Sequence, residues 1–561
     1  MPSAILNFSQ GGLSWGDFDK DGDLDVAISG YTANYVPMTA VYRNKNGEFL
    51  KMDQTIPGLT VGSVNWGDYD NDNDLDLLIC GTNSMGDGKT LLFENENSTF
   101  TEKALPFTGI ARGEAIWMDY NNDGNLDILI SGDTLYNTPV IRLYKNNGDE
   151  TFSVVSQDLV PVLEGSATTG DYDNDGDQDI FVSGTADTGF VCFLYRNDNG
   201  HFHNTGNVFY PVSYSDAVFV DYDSDGDLDL VYMGSTMVAD YRVKIYRNDG
   251  DGQFTCSSDS LEGEWVGRID AADINNDGFP DLGITGALCC GDALTRIYMN
   301  DGNGHFYESG VPLPDLYFSN INFGDFDNDG DADFLLCGIP PDGPGNELTR
   351  LYRNATLSNT FTINQPPAIP DGLQAELDGN DVTFTWNASQ DITTPSAALT
   401  YSLRIGSTPG NDDILNPMTD PVTGFNKVYR PGNLFQNTSW TIKDLASGTY
   451  YCAVQAMDHS CMASGFSPEV SFEILVNGTG KETETLTIFP VPAREALTIN
   501  LPEKADPSSV RIIDPTGRAI PVKMMILEDK IRIDLSNLGS GLYILELVSG
   551  KETNTARFIV Q

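Results

Sequence analysis

The sequence predicts an all-β chain whose larger part is a seven-bladed β-propeller, and three observations predict it. An acidic cluster opens at Asp17, Asp68, Asp119, Asp171, Asp221, Asp273 and Asp325, at intervals of 51, 51, 52, 50, 52 and 52 residues. Each cluster is followed by a short apolar run ending in glycine, and each run by an aromatic-x-Asn triplet. No repeat contains a helical period, and self-similarity at a fixed spacing of this size is the signature of a repeat architecture.

Within one repeat the strands follow in order. The apolar runs, such as 24–30, 75–81 and 228–234, read as buried strands after the cluster. The triplets Tyr42-x-Asn44, Phe93-x-Asn95, Tyr144-x-Asn146, Tyr195-x-Asn197, Tyr246-x-Asn248, Tyr298-x-Asn300 and Tyr352-x-Asn354 imply an outer strand. A turn such as Asn46-Gly47-Glu48-Phe49 then starts a hairpin into a fourth strand. Seven four-stranded sheets closed into a ring hide their edges, so residues 1–363 are expected to form one propeller.

The clusters read D-x-[DN]-x-D-[GN]-x-x-D, with candidate ligands at positions one, three, five, seven and nine. These are Asp17, Asp19, Asp21, Asp23 and Asp25, then Asp68, Asp70, Asp72, Asp74 and Asp76. The third loop has Asp119, Asn121, Asp123, Asn125 and Asp127, and the fourth Asp171, Asp173, Asp175, Asp177 and Asp179. The fifth has Asp221, Asp223, Asp225, Asp227 and Asp229. The sixth has Asp273, Asn275, Asp277, Phe279 and Asp281, and the seventh Asp325, Asp327, Asp329, Asp331 and Asp333. Alternate oxygens in a tight turn surround one hard cation, and calcium accepts six to eight such ligands. Without a cation, like charges about 4 Å apart repel by roughly 4 kcal/mol even at an effective dielectric of 20. Up to seven structural calcium ions are therefore expected, with loops three and six, which carry Asn at position three, the weaker sites. Position six is Gly in six loops and Asn73 in the second, the residues best suited to a positive φ. Phe279 at position seven points to the backbone carbonyl as the ligand there. Position twelve holds Ile28, Ile79, Ile130, Val182, Tyr232, Ile284 and Leu336, not the Glu of an EF-hand.

With these loops the chain resembles the FG-GAP or VCBS repeat family, over about two thirds of its length. The resemblance implies an integrin-type propeller that carries calcium in the same hairpins, where the ions hold the blades together.

Pro366, Pro367 and Pro370 mark a linker, and alternation in 382–386 and 399–403 continues in the manner of sandwich strands. Leu445 and the stretch 448–456 resemble the tyrosine-corner region of fibronectin type III domains, so 364–476 is expected to be one such module. Trp386, Trp440 and its tyrosines are read as core. After a polar linker at 477–482, the stretches 488–492, 513–518 and 538–543 resemble the type A sorting domain of type IX secretion, assigned to 485–561. Val491 and Arg557 depart from the residues common in that pattern. The resemblance implies export to the outer-membrane surface or beyond, contact with the type IX machinery, and later removal of the domain. Such cargo carries a signal peptide; residues 1–7 show neither a basic segment nor an apolar run, so the start is expected to lie downstream of one.

The formal charge of −51 argues against nucleic acid and anionic membranes as partners. No apolar stretch is long enough for a transmembrane helix. Eight cysteines show no metal-binding spacing; Cys80 and Cys337 read as buried thiols, and Cys452 and Cys461 are left as a possible pair. Gly12-Leu13-Ser14-Trp15-Gly16 and the stretch 83–90 imitate a nucleophile elbow and a phosphate loop, but the first lies within the repeats and the second precedes a strand. With four histidines, and 31 acidic side chains inside the loops, binding is the expected function and catalysis is not. A ligand, glycan or protein, is expected on the face opposite the loops. There the connections into each first strand bring Arg112, Glu114, Glu164, Tyr214, Asp216, Trp265, Arg268 and Tyr317. The alternative is a lyase or glycosidase acting on polysaccharide from the same scaffold.

Overall fold

The computed structural model describes residues 5–475 except 34, 135–137, 238–242, 251, 258–260, 264, 288–291, 344 and 356–363. Beyond these it describes 488–489, 494, 496–500, 510–513, 518–527, 530–539, 541–549 and 552–560. The linker at 477–482 and the prolines at 490 and 492 lie outside the described residues. Among the described residues every regular element is a strand, and no helix is long and apolar enough to cross a membrane.

The first sheet sets the pattern: β1 (Leu13–Gly16), β2 (Asp25–Thr32), β3 (Val36–Lys45) and β4 (Glu48–Lys51), hydrogen-bonded in that order and antiparallel. The second strand is the buried one, because Val26, Ala27 and Ile28 are apolar on both faces and neighbouring sheets cover both. Five further four-stranded sheets follow, and a seventh of three strands ends at Leu348–Tyr352. Their first strands, from Leu13–Gly16 through Tyr317–Gly324, touch one another in sequence, and the last touches the first. The seven sheets therefore form a closed propeller ring.

The asparagines of the aromatic-x-Asn triplets hold neighbouring sheets together. The side-chain amide of Asn95 donates to the carbonyl of Phe18 in the preceding sheet at 2.9 Å. Asn146, Asn197, Asn248, Asn300 and Asn354 repeat this bond at 2.6–2.8 Å, and Asn44 closes the circle on Phe326 at 2.7 Å. The Asn248 carbonyl oxygen also accepts from Gly250 N–H in the turn below it. Asn248→Ala would leave a buried carbonyl and a turn amide unpaired, an expected loss of about 2–3 kcal/mol measurable by denaturant unfolding.

Residues 374–474 form two three-stranded sheets, Gln374–Asp378, Asp381–Thr385 and Ser439–Ile442 in one, and Thr400–Gly406, Gly448–Met457 and Val470–Ile474 in the other. Val382, Phe384, Leu403, Trp440, Cys452 and Val454 fill the space between them. Trp386 lies in the same core, edge-on to Tyr401. Cys452 and Cys461 are free thiols, not a pair. The Cys452 thiol lies in that core bonded to the Val470 carbonyl, whereas Cys461 sits in the turn after its strand, beside Tyr429.

The sandwich is not a separate bead. Residues 1–475 pack as one compact unit, because the segment 407–438 and the turn 458–462 lie across the ends of the seven acidic loops. Asn416 and Asn437 donate to Asp119 and Asp221 at 2.8 and 2.6 Å. The Lys427 carbonyl accepts from Asp68 N–H, and its ammonium donates to the Gly124 carbonyl. Trp440 donates to Asn174, Lys443 pairs with Asp227, and His459 bonds Asn276. Ser460 bonds the Asp325 carbonyl and Asn328, and Met462 lies against Gly22. Every loop is touched.

The second compact unit spans 476–561. It is two four-stranded sheets, ordered Ile488–Phe489, Ala496–Asn500, Lys530–Asp534, Lys523–Leu527 and Ala519–Ile520, Arg511–Ile513, Gly541–Ser549, Glu552–Val560. Leu497, Ile499, Ile512, Ile531, Ile533, Leu545 and Leu547 form its core.

Candidate functional site

Each acidic loop is a hairpin wound around its own carboxylates. The position-one carboxylate accepts the backbone N–H groups of positions five and six, for example Asp17 from Asp21 and Gly22 at 3.1 and 3.0 Å. The same pair recurs in the other six loops. The position-nine carboxylate is held by backbone: Asp25 accepts from Phe18 and Asn44, Asp229 from Tyr222 and Asn248. Position six is left-handed in all seven loops, from Gly22 (φ 87) to Asn73 (φ 66). Position four is left-handed as well, at Lys20, Asn71, Asn122, Asn174, Ser224, Asn276 and Asn328. The sequence signalled this second site through its five asparagines, which tolerate that conformation and bond the next loop, as Asn174 bonds Asp227 and the Gly226 carbonyl.

This backbone work leaves oxygens at position three without donors. Oδ1 of Asp19, Asp70, Asn121, Asp173, Asp223 and Asp327 is buried with no hydrogen-bond partner. In five loops three carboxylates bring oxygens within 4.8 Å of one another: Asp17, Asp19 and Asp25; Asp68, Asp70 and Asp76; Asp171, Asp173 and Asp179; Asp221, Asp223 and Asp225; Asp325, Asp327 and Asp333. Buried acceptors that converge and lack donors fit a hard cation. In loops three and six the Asn121 and Asn275 amides donate to Asp123 and Asp277, so a donor nitrogen occupies part of the oxygen set. Lys145 also pairs with Asp123 at 2.9 Å. Calorimetric titration with calcium is expected to resolve about five tighter sites and two weaker ones. The charge set also includes basic residues from the third strands, with Arg43 on Asp19, Arg196 on Asp173 and Asp175, and Arg353 on Asp327.

Burial, reinforced by neighbouring carboxylates, pushes Asp17 and Asp68 up to about 7 and Asp76, Asp127 and Asp229 up to about 9 in the cation-free loops. A folded-state carboxyl raised above its unfolded value near 4 adds stability at low pH and loses it as pH rises toward the folded value. The chelated protein is therefore expected to melt higher at pH 5 than at pH 8. Protons compete with the cation for the same oxygens, so the calcium-loaded protein should show the reverse order in scanning calorimetry.

At the opposite ends of the first strands lies a cavity of about 750 Å³. Seven equivalent residues ring it, Gln10, Val61, Arg112, Glu164, Tyr214, Val266 and Phe318, and all are left-handed, with φ between 46 and 57. For non-glycine residues this costs about 1–3 kcal/mol each unless the surroundings enforce it. They do. Val61 N–H bonds the Gln10 carbonyl, Arg112 N–H the Val61 carbonyl, and Gln10 N–H the Phe318 carbonyl, at 2.6–3.0 Å. In five sheets the next residue is glycine, where an added Cβ would lie 1.6–2.1 Å from a neighbouring carbonyl oxygen.

Arg112 pairs with Asp133 at 2.6 Å and Glu164 at 2.5 Å. Arg268 bridges Glu114 and Asp216, the latter at 2.9 Å. Arg112, Glu114, Glu164, Tyr214 and Arg268 thus come together at this cavity. Tyr317 does not line it. Tyr317 precedes the ring residue Phe318 by one, and a one-residue offset on a strand turns a side chain away; Trp265 stands at the same position before Val266. The Trp265 side chain lies outside the described residues. All seven ring residues lie seven positions before the first Asp of their loop, whereas Trp265 and Tyr317 lie eight before it, a difference the repeat spacing carries.

Five stretches, 17–79, 119–182, 171–232, 221–284 and 287–336, match the FG-GAP-like repeat, and together they contain all seven acidic loops. The chain carries FG-GAP-like repeats. Residues 487–561 match the secretion system C-terminal sorting domain, which marks this FG-GAP-repeat chain as exported by type IX secretion. In structure it is similar to the BP39L lectin of Burkholderia pseudomallei, at 9% identity and a TM-score of 0.42, over 63% of this chain and 100% of the lectin. It is also similar to a mutant of the Aleuria aurantia lectin, at 10% identity and a TM-score of 0.33, over 70% of this chain and 99% of that one. A third similar structure is the extracellular domain of the hybrid two component system BT3049 of B. thetaiotaomicron, at 10% identity and a TM-score of 0.35. The match covers 84% of the FG-GAP-repeat chain and spans 55% of the length of that domain. No curated protein matches the sequence.

Proposed function

We propose that this chain is a secreted or cell-surface binding protein. Its seven-bladed FG-GAP propeller would hold up to seven structural calcium ions, and a fibronectin type III-like sandwich would cover the ion-bearing face. Residues 1–363 and 364–476 are the two modules and 485–561 the sorting domain that engages the type IX machinery. The Tyr450 hydroxyl, bonded back to the Ala446 carbonyl at 2.8 Å, supports the fibronectin type III reading. Calcium would sit on positions one, three, five and nine of each loop with the position-seven carbonyl, where it would replace hydrogen-bond donors that the position-three oxygens lack.

The single observation that carries the binding function is the strained ring of seven residues around the 750 Å³ cavity, on the face that the sandwich leaves open. Strain kept at equivalent positions in all seven sheets presents side chains into one concave space, as ligand sites require. The ligand is a glycan or a protein. Screening the calcium-loaded protein on glycan and matrix-protein arrays tests this. Retained ligand that is lost in Tyr214→Ala supports it. Release of new reducing ends or unsaturated products from a bound polysaccharide would instead establish a degrading enzyme.

A further inference from the structure

Resting on the reading that the cavity is the ligand site, we propose that it takes a neutral oligosaccharide and rejects uronic-acid and sulfated ones. Two arginines in so acidic a chain would, if unpaired, recognise a carboxylate or sulfate. Both are engaged. Arg112 spans Asp133 and Glu164, and Arg268 spans Glu114 and Asp216. Two guanidinium groups thus face four carboxylates, an excess of negative charge in a chain of formal charge −51. An incoming anion would have to displace a carboxylate already seated on each arginine and remain in a repulsive field.

Each of the four carboxylates is held in place by its own donors. Asp133 accepts from Arg112 through both oxygens. Glu114 also accepts from the Ser166 hydroxyl and Ala167 N–H, and Asp216 from Ile269 N–H. Glu164 bonds both Arg112 and the Tyr214 hydroxyl.

What the cavity offers besides these closed ion pairs is hydroxyl chemistry and aromatic surface. Thr82 and Thr134 stand half-buried in its wall, and Tyr214 and Phe318 are 36% and 41% exposed there. At these rings the C–H face of a pyranose packs against an apolar surface while its hydroxyls meet the two threonines.

Isothermal titration of the full chain in calcium tests the inference with cellohexaose, laminarihexaose, mannohexaose and hexagalacturonate. At least one neutral hexasaccharide is expected to bind at least tenfold more tightly than hexagalacturonate. Tyr214→Ala and Phe318→Ala should each weaken it fivefold or more with the melting temperature unchanged. Equal or tighter binding of hexagalacturonate overturns the inference, as does neutral binding that both variants leave intact. If none of the four binds but the arrays return a protein ligand lost in Tyr214→Ala, the inference falls and the binding function stands. If the arrays return nothing, both fall.

Discussion

Excess chelator is expected to lower the melting temperature of the calcium-loaded chain by about 10 °C or more. A ligand at one hundred times its dissociation constant stabilises a fold by about 2.7 kcal/mol per site. Five loops with converging carboxylate oxygens, if each held an ion, would then contribute as much as the whole 5–15 kcal/mol typical of a domain. At about 2.1 cal/mol/K of unfolding entropy per residue, each kcal/mol is worth about 1 °C in a compact unit of the size of residues 1–475. The effect should be shared among sheets, since each position-nine carboxylate also holds the backbone of the triplet asparagine that bonds the preceding sheet. Differential scanning calorimetry with and without chelator measures it. An unmoved transition would mean that the acidic hairpins are self-sufficient turns.

Deletion of residues 487–561 in a host competent for type IX secretion is expected to abolish surface delivery, with the remainder retained in the periplasm. The match to the sorting domain covers these residues, and they form a compact unit with its own core. The truncated protein should therefore keep its melting temperature within about 2 °C. Protease shaving of intact cells and periplasmic fractionation read the first expectation, and calorimetry the second. Surface-exposed truncated protein would overturn the sorting role.

The sheet order of the ring was legible because a 51-residue period repeats both the loop and the buried run, and a period survives any change of side chain. The left-handed position six was legible from Gly22 and its equivalents, since few other residues adopt that conformation cheaply. Three features were not. The ring at Gln10, Val61 and Phe318 is chemically heterogeneous, so no residue type marks it; its signal is the glycine that follows in five sheets. The triplet asparagines were visible as a pattern, but their bond to the preceding sheet depends on a partner some 77 residues away. The sandwich's contact with the loops runs through the irregular segment 407–438, which has no periodicity to read.

That contact would give the seventh loop a history as well as an affinity. In loop seven Asp325, Asp327, Asp329, Asp331 and Asp333 are all buried, with Ser460 across their mouth. A calcium ion seated there, as proposed, would leave only if the sandwich lifted, so its escape would be timed by a protein motion and not by the strength of its own bonds. Loading and unloading would then follow different paths: calcium captured while the chain folds would be held afterwards at concentrations from which an open hairpin would refill slowly or not at all. A protein that leaves the cell for surroundings of fluctuating calcium would in this way keep a memory of the conditions in which it folded.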